Sequence, residues 1–445
     1  MSDDASDHGH GHGHGHGHGL GGSWETWLGV PALRVILIAV GAVGLLTVIG
    51  LVVLWPDGSG RERSTVQAAE LGLVTDRFDG TVETVADGPC SYSSQDNPQD
   101  CRTFTFVVHE GPDAGAIVVL PEFNLTVGAP TPDLAVGDAV VLGYEPSTNF
   151  YFYADRDRGN VLTWLAVAFA VVVVALGRRR GLLALAAMAA TVFVLVGFIA
   201  PSVLDGNDPV LVAVTAGAAI AFISLYLTHG FTPTTTVALA GTLASLALTL
   251  AISSVFFALA DFSGLATEEG LTLPLVADVN LSSLLLGGAV LGALGALDDV
   301  TVTQVATVAE LQHRNRLLTT AELITSGIRV GREHIASTVN TLLLAYAGAS
   351  MPLLLLFAAS DQPLGAVANS EIVAVEIVRT LCGSIGLVAA VPITTLMAAA
   401  LVSSTPSTHD DDLAPTASSQ PTEEPEPAPP SKASWDDFAP DEIDL

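Results

Sequence analysis

Long apolar runs, separated by short polar connections, recur through most of the 445-residue chain. A helix rises about 1.5 Å per residue, so about 20 mostly apolar residues are needed to cross the hydrocarbon core of a bilayer. The predicted fold class is therefore an all-α polytopic membrane protein. We predict about eight transmembrane helices: Leu33–Trp55, Val161–Leu176, Leu182–Ala200, Val210–Leu227, Thr235–Ala260, Ser282–Leu297, Ile335–Ala359 and Ile372–Val402.

The first of these helices, residues 33–55, is predicted to stay in the mature chain. Its apolar run is longer than the about 7–15 residues of a secretory signal core, and no small-residue cleavage site follows it. The other seven helices fill residues 161–402, which we predict to form the membrane domain.

Residues 56–160, between the first two predicted helices, have a different pattern. Short β-branched segments alternate there with Gly and Pro, which is typical of strands joined by turns. About five short strands in a segment of this size favour a small β domain, such as an OB-type barrel. The clearest predicted strands are Gly80–Val85, Arg102–Val108, Ala116–Leu120 and Ala139–Leu142.

Basic residues indicate the orientation of the chain, because Lys and Arg are retained on the cytoplasmic side of short loops. Seven Arg fall in the connections after the second and sixth predicted helices. The alternate connections, residues 201–209, 261–281 and 360–371, contain no Lys or Arg and hold eight acids. We therefore predict a multi-pass plasma-membrane protein with cytoplasmic termini and an extracytoplasmic β domain.

Cys90 and Cys101 both lie in the predicted extracytoplasmic domain. An oxidising compartment permits a disulfide between them, which would close one hairpin loop. Two free thiols are the alternative. A metal site is disfavoured because only His109 lies nearby in the sequence.

Composition excludes several classes of protein. The chain is 50% hydrophobic and 14% charged, with a formal net charge of −30, whereas soluble proteins carry about 25% charged residues. The lipid bilayer is therefore the expected partner, and nucleic acid is excluded because phosphate binding requires clustered Lys and Arg. No phosphate-binding loop or hydrolase motif occurs, so we predict no enzyme activity and no cofactor. The excess of Arg over Lys fits a GC-rich bacterial genome, such as that of an actinobacterium.

Both ends of the chain have low-complexity composition. The acidic, Pro-rich residues 403–445 are predicted to form a disordered cytoplasmic tail that could recruit a partner. Association of the chain with copies of itself, as a homo-oligomer, is the other predicted interaction. Residues 1–32 are predicted to be a disordered cytoplasmic tail rich in His and Gly. Its imidazoles could bind Zn²⁺ or Ni²⁺ weakly, although a tail without a metal role is the simpler interpretation. These residues are His8, His10, His12, His14, His16 and His18.

Ionisable residues within predicted spans are functional candidates, because their burial in a membrane is costly. Asp298 and Asp299 directly follow the small-residue run of the sixth helix. They either mark the cytoplasmic interface, where a helix start favours carboxylates, or form a cation or proton site between two helices. The segment from Thr301 to His334 is predicted to form amphipathic helices on the cytoplasmic interface.

Glu376 and Asn340 are secondary candidates. Glu376 and Arg379 lie three residues apart in the last predicted helix, hence on one face, where they are expected to pair. Asn340, in the seventh predicted helix, either bridges helices by hydrogen bonding or contacts a substrate.

Two segments of the membrane domain resemble a known family. Residues 292–304, GALGALDDVTVTQ, are similar to the signature region of the YibE/F family of bacterial integral membrane proteins. Residues 320–348 resemble that family too, and the similarity extends over about residues 150–402. The resemblance implies a permease without naming a substrate, because the family has no established biochemical activity.

The sequence favours a plasma-membrane permease or channel-like transporter of an unidentified small solute, cationic or coupled to protons. Asp298 and Asp299 would be its main functional carboxylates, with Asn340 and Glu376 secondary. The acidic outer connections would raise the local concentration of cations. The alternative is a membrane sensor or scaffold that transports nothing and binds an extracytoplasmic ligand through residues 56–160.

Overall fold

The computed structural model describes residues 31–71, 75–126, 131–146, 148–359 and 362–403, which are mostly helical and include a small antiparallel sheet. The predictions for the His-rich and the acidic tails fall outside these residues. The helices are α1 (Pro31–Val53), α2 (Ser59–Glu70), α3 (Gly159–Val194), α4 (Ala200–Leu204), α5 (Pro209–His229), α6 (Pro233–Ala260), α7 (Glu268–Val276), α8 (Leu281–Arg314), α9 (Thr320–Ala349), α10 (Met351–Ala359), α11 (Leu364–Asn369) and α12 (Glu371–Ser403). A π-helical turn, Leu195–Ile199, joins α3 to α4.

Six helical segments of the described chain are long and apolar enough to cross a membrane, and α9 with α10, bent by 63°, adds a seventh. One of the six, Gly159–Leu204, contains both the second and the third predicted spans. Its backbone leaves helical geometry at Arg178, where φ is 50° and ψ is −128°. A Cβ on Gly181 would overlap the carbonyl of Val173, although residues eight apart in a straight helix are separated by about 12 Å. The chain therefore turns back on itself at Arg178.

α8 corrects one of the sequence predictions. It continues without a break through Asp298 and Asp299 to Arg314, so the predicted helix boundary at the aspartates does not exist, and residues 301–314 of the predicted amphipathic segment belong to this helix. The physical reason is that buried apolar residues such as Val300 and Val308 continue the packed face of the span. The next helix starts at a capping box, in which Thr319 and Glu322 bond each other's backbone N–H groups.

Small residues allow α6 and α12 to pack closely, and these two helices form the centre of the bundle with α8. A Cβ on Gly241 of α6 would overlap Thr394 of α12, and a Cβ on Gly386 of α12 would overlap Thr249 of α6. The positions rise by eight on one helix and fall by eight on the other, so the helices are antiparallel. Small residues four apart let backbones approach in membranes, where packing rather than the hydrophobic effect drives association.

The segment between α1 and α3 contains the predicted β domain, here called the β module. Its strand order is β3-β2-β1-β5-β6, with β4 beside β2, and all its pairings are antiparallel. The helix α2 and the strands β4 and β6 lie outside the strands that the sequence prediction named. The strands are β1 (Asp76–Pro89), β2 (Asp100–Val108), β3 (Ile117–Val119), β4 (Phe123–Asn124), β5 (Ala139–Glu145) and β6 (Phe150–Arg156).

The β module has its own apolar core, separate from that of the helices. Phe104, Phe106 and Leu142 are among its fully buried side chains. Tyr151 also packs there and donates its hydroxyl to Asp113 at 3.1 Å. Burial raises the pKa of Tyr151 to about 12, further above physiological pH than its usual value.

A disulfide joins Cys90 and Cys101 where β1 ends and β2 begins. The backbone N–H of Cys90 also donates to Gln99 at 2.9 Å, so the bridge and the ladder close the same hairpin. Glu122 lies near the two sulfur atoms, but a disulfide offers no thiolate to a metal ion. The group is therefore a structural bridge and not a metal centre.

The acidic connections meet the start of the β module at one end of the bundle. The Asp205 carboxylate accepts hydrogen bonds from backbone N–H groups at the start of α2, and α2 packs on α7. Glu371 in turn binds Ser263 in the loop before α7. All three acidic connections therefore lie on the same side of the bundle as the β module.

Candidate functional site

Asp298, on α8, is half-buried, with its two carboxylate oxygens in different environments. Oδ2 accepts a hydrogen bond from the hydroxyl of Ser224, on α5, at 3.0 Å. Oδ1 is buried and has no hydrogen-bond partner among the described residues. A buried carboxylate oxygen without a partner is costly, so this atom is a position where a proton or a cation would be stabilised.

The packing of α5 on α8 brings Ser224 to Asp298. A Cβ on Gly287 of α8 would lie 3.0 Å from the Cβ of Ala213 of α5. From this contact to the Ser224–Asp298 hydrogen bond is eleven residues on each helix (213 to 224 and 287 to 298). Eleven residues are about three helical turns, so the two helices run parallel and in register.

Asp299 differs from its neighbour because it is exposed. It lies on the face of α8 that also carries Gly288, Gly292 and Gly295, at spacings of four, three and four residues. A Cβ on Gly292 would lie 2.7 Å from the hydroxyl of Tyr346 on α9, whereas a Cβ on Gly295 would have nothing within 4 Å. This glycine face is thus partly open, and the two adjacent aspartates point to different surroundings.

Glu376 forms an ion pair with Arg379, as the spacing predicted, with 2.8 Å between Oε1 and Nη1. The pair is half-buried, and Nε of Arg379 is buried without a partner among the described residues. The guanidinium lies over the glycine face of α8, since its Nη2 is 3.8 Å from the position of a Cβ on Gly288. Gly288 precedes Asp298 by ten residues, or about 15 Å along α8. The structure therefore separates this pair from the aspartates.

Asn340 is exposed on α9. The candidate residues from the sequence therefore occupy three separate places: Asp298 with Asp299 on α8, the Glu376–Arg379 pair on α12, and the exposed Asn340 on α9.

Gln304 and Ser224 are polar residues that sequence reasoning left out of the site. Gln304 is 4% exposed and donates to the carbonyl of Gly327 at 2.8 Å and to the hydroxyl of Thr395 at 2.7 Å. It therefore joins α8, α9 and α12. The signal in the sequence was Gly327 and Gly331, four residues apart, which leave the space that the Gln304 side chain fills.

A second contact adds hydroxyl groups near the same level of the bundle. Thr242 of α6 and Thr301 of α8 are fully buried, and their hydroxyl oxygens are 2.6 Å apart. Thr301 also donates to the backbone carbonyl of Asp298 at 3.1 Å. The hydroxyl of Ser224 thus binds the carboxylate of Asp298, and the hydroxyl of Thr301 binds its backbone carbonyl. A hydroxyl group can both donate and accept a hydrogen bond.

Comparison with known proteins agrees with the sequence resemblance. The model of the YibE/F-like protein family matches residues 165–404, more than half of the chain. The match contains α5, α6, α8, α9 and α12, and hence Asp298 with all the contacts described around it. No curated protein and no solved structure matches the chain. The chain belongs to the YibE/F-like family.

Proposed function

We propose that the protein is a membrane permease that moves a small cation, or a solute coupled to protons, past Asp298. The observation that carries this proposal is the buried Oδ1 of Asp298, which has no partner among the described residues while Oδ2 is held by Ser224. A structural carboxylate in a span is expected to have both oxygens paired. A carboxylate that exchanges a proton or a cation must leave an acceptor available.

The surroundings of Asp298 support reversible binding. No Lys or Arg is hydrogen-bonded to its carboxylate in the described chain, so a permanent ion pair does not neutralise it. Ser224 orients the group without cancelling its charge. The affinity for a cation or proton then depends on how much water reaches Oδ1, which is the variable that alternating access changes.

Asp298→Asn is expected to lower flux at least tenfold, because the amide keeps the shape and the Ser224 contact but cannot bind a proton or balance a cation. The measurement uses purified protein in liposomes containing a pH-sensitive dye, with an imposed proton gradient and with Na⁺ or K⁺ added in turn.

The matched control is Asp299→Asn, which removes the same charge from the adjacent exposed position and should retain most of the flux. Equal flux in the wild-type protein and in Asp298→Asn would remove Asp298 from the mechanism. Wild-type flux no higher than that of empty liposomes would instead favour the sensor or scaffold function.

We also propose that the chain crosses the membrane eight times, with both termini in the cytoplasm. The reversal at Arg178 divides Gly159–Leu204 into two crossings, and α9 with α10 makes one bent crossing. The parallel direction of α5 and α8 fits a count in which α6 alone crosses between them. The Arg-rich turn at 178–180 then lies opposite the acidic connections, as retention of Arg in the cytoplasm requires.

The β module is proposed to be an extracytoplasmic OB-type fold. Its path β3-β2-β1-β5-β6 has the long β1 as the central strand, paired with both β2 and β5. Gly80 lies where the two pairings overlap, opposite Val108 and Val140, and a bulge follows between Val82 and Thr84. A glycine and a bulge let one strand curve between two layers of a small barrel.

A further inference from the structure

The reversal of the chain within α3 exposes three consecutive arginines. Arg178, Arg179 and Arg180 all lie on the surface, and none of them forms an ion pair with another described residue. No ion pair therefore neutralises the positive charge of this turn. Five other arginines of the described chain do pair with acids, namely Arg102, Arg156, Arg158, Arg314 and Arg379.

The helices that meet at this turn carry no acid of their own. Residues 159–204 and 209–260, which contain α3 to α6, include no Asp or Glu. On the neighbouring α8, Asp298 contacts α5 through Ser224, which precedes the end of α5 at His229 by five residues, or about 7.5 Å along the helix. That carboxylate lies further into the bundle, so the charge of the turn remains available to an anion from outside the protein.

Two further features make the surroundings of the turn favourable to an anion. α3 packs on α5, and the guanidinium of Arg180 is close enough to the imidazole of His229 for their charges to interact. The backbone leaves helical geometry at Arg178 and continues as a helix from Arg179. The start of a helix carries partial positive charge and N–H groups without partners inside the helix, which favour a phosphate group.

Large apolar side chains beside the turn are exposed as well. Leu176 and Leu182, on either side of the three arginines, are 83% and 60% exposed. Phe231, two residues after His229, is exposed and stacks on Tyr226 with 4.5 Å between ring centroids. An anion without an apolar part would leave these side chains uncovered. A phospholipid has both parts, because its phosphate binds guanidinium groups and its acyl chains cover apolar side chains.

We propose that the turn at Arg178–Arg180 is a binding site for an anionic phospholipid, with the phosphate on the guanidinium groups and the acyl chains along Leu176 and Leu182. This goes beyond the orientation of the chain, because retention of Arg in the cytoplasm depends on the number of basic residues near the helix ends and requires no site in the finished protein. The site rests on the reversal at Arg178 and does not depend on transport.

The test measures lipid binding by native mass spectrometry. Full-length protein in detergent is mixed with phosphatidylglycerol or with phosphatidylcholine of the same chain length. We expect the unsubstituted protein to bind phosphatidylglycerol at least fivefold more tightly than phosphatidylcholine. The triple variant Arg178→Gln, Arg179→Gln, Arg180→Gln should bind the two lipids equally, because the three charges that distinguish them are gone. Equal affinities in the unsubstituted protein would overturn the proposal, as would an unchanged preference in the triple variant.

The matched control is the triple variant Arg316→Gln, Arg329→Gln, Arg332→Gln, which removes three other exposed arginines, from α9 and the connection before it. Its preference for phosphatidylglycerol should stay within twofold of that of the unsubstituted protein. Equal losses in the two triple variants would overturn the site, because binding would then follow total charge. An excess of inorganic phosphate should leave most of the phosphatidylglycerol bound. Complete displacement would show that the turn holds free phosphate and would overturn the lipid site.

Photocrosslinking on the unsubstituted protein provides a test that does not depend on the folding of variants. Nanodiscs contain phosphatidylglycerol or phosphatidylcholine with a diazirine near the headgroup end of one acyl chain, and mass spectrometry locates the crosslinks. Phosphatidylglycerol should crosslink residues 176–182 at least threefold more than phosphatidylcholine does. Equal crosslinking by the two lipids would contradict the proposal. Preferential crosslinking in a protein without flux would uphold the lipid site and refute the permease, so the two proposals fail separately.

Discussion

Gly383 and Gly386 of α12 lie three residues apart and face different neighbours. A Cβ on Gly383 would meet the side chains of Ala293 and Leu342 at 3.7 and 3.8 Å, which are ordinary contact distances. A Cβ on Gly386 would overlap the hydroxyl oxygen of Thr249. Close packing of the helices therefore requires glycine at position 386. At position 383 there is room for the methyl group of an alanine, which would make ordinary contacts.

Gly386→Ala is therefore expected to destabilise the protein by about 1–3 kcal/mol, the usual cost of overpacking a core. Gly383→Ala should be neutral or stabilise it by up to about 1 kcal/mol, because alanine favours the helix. Thermal unfolding of both variants in the same detergent measures the difference. A lower midpoint for Gly383→Ala than for Gly386→Ala would contradict the packing described for α6 and α12.

The sequence could identify polar residues in the spans but not most of their partners. Glu376 and Arg379 were predicted to pair because both lie on one helix, where spacing sets the distance. Ser224 is 74 residues from Asp298, and Gln304 is 91 from Thr395. Such contacts depend on which helices are neighbours and on their relative height. A single sequence specifies neither.

At the scale of elements, the hairpin of β1 and β2 carries several independent constraints close together. Next to the disulfide, Arg102 binds Asp87 across the two strands through Nε and Nη2, at 2.6 and 2.8 Å. The hydrogen bonds from this guanidinium hold the pKa of Asp87 below its usual value. The stabilisation by this pair is present above the unfolded-state pKa and is lost as pH falls through the lower, folded-state pKa. At neutral pH both constraints therefore act on the hairpin.

Removal of the bridge by Cys90→Ser with Cys101→Ser is expected to destabilise the β module by about 2–3 kcal/mol, since a loop of this length is no longer closed in the unfolded state. Hydrogen exchange of β1 and β2 should become faster, and exchange of α6, α8 and α12 should not change. Unchanged protection of the hairpin would show that the bridge adds nothing to the ladder, and faster exchange of the helices would show that the two cores are not independent.

Apolar patterns predicted the long helices well but not their ends or the short elements between them. α8 extends past its apolar run because one buried face continues while the opposite face becomes polar. α2 is mostly charged and polar, and its place is set by Asp205 rather than by an apolar face. β6 has the aromatic residues that favour strands, with Phe150 and Tyr151 at its start, and composition could have revealed it.

At the scale of the whole molecule, the turn at Arg178 decides how many times the chain crosses the membrane. If α3 reverses there, five crossings separate the β module from the start of α9. If α3 were one long span, four would. The contact of Asp205 with Asp57 supports the reversal, because it places both ends of the Gly159–Leu204 segment on the same side as the β module.

Single cysteines at two exposed positions test whether the number of crossings between the β module and the start of α9 is odd or even. In a Cys382→Ala background, the two remaining natural cysteines are joined by the disulfide. Glu83→Cys in β1 should then react with a membrane-impermeant maleimide on intact cells. Thr320→Cys at the start of α9 should react only after lysis. Labelling of both in intact cells would mean an even number of crossings between them and no reversal at Arg178. Labelling of Thr320→Cys alone would invert the proposed orientation.

The close packing of α6 on α12 also has a consequence for biosynthesis. More than a hundred residues separate the end of α6 at Ala260 from the start of α12 at Glu371. A ribosome therefore delivers the polar face of α6, with Ser245 and Thr249, long before its partner exists. Until α12 emerges, these hydroxyl groups face lipid or a chaperone. A chain released before α12 is made would therefore leave this polar stripe without the helix that covers it.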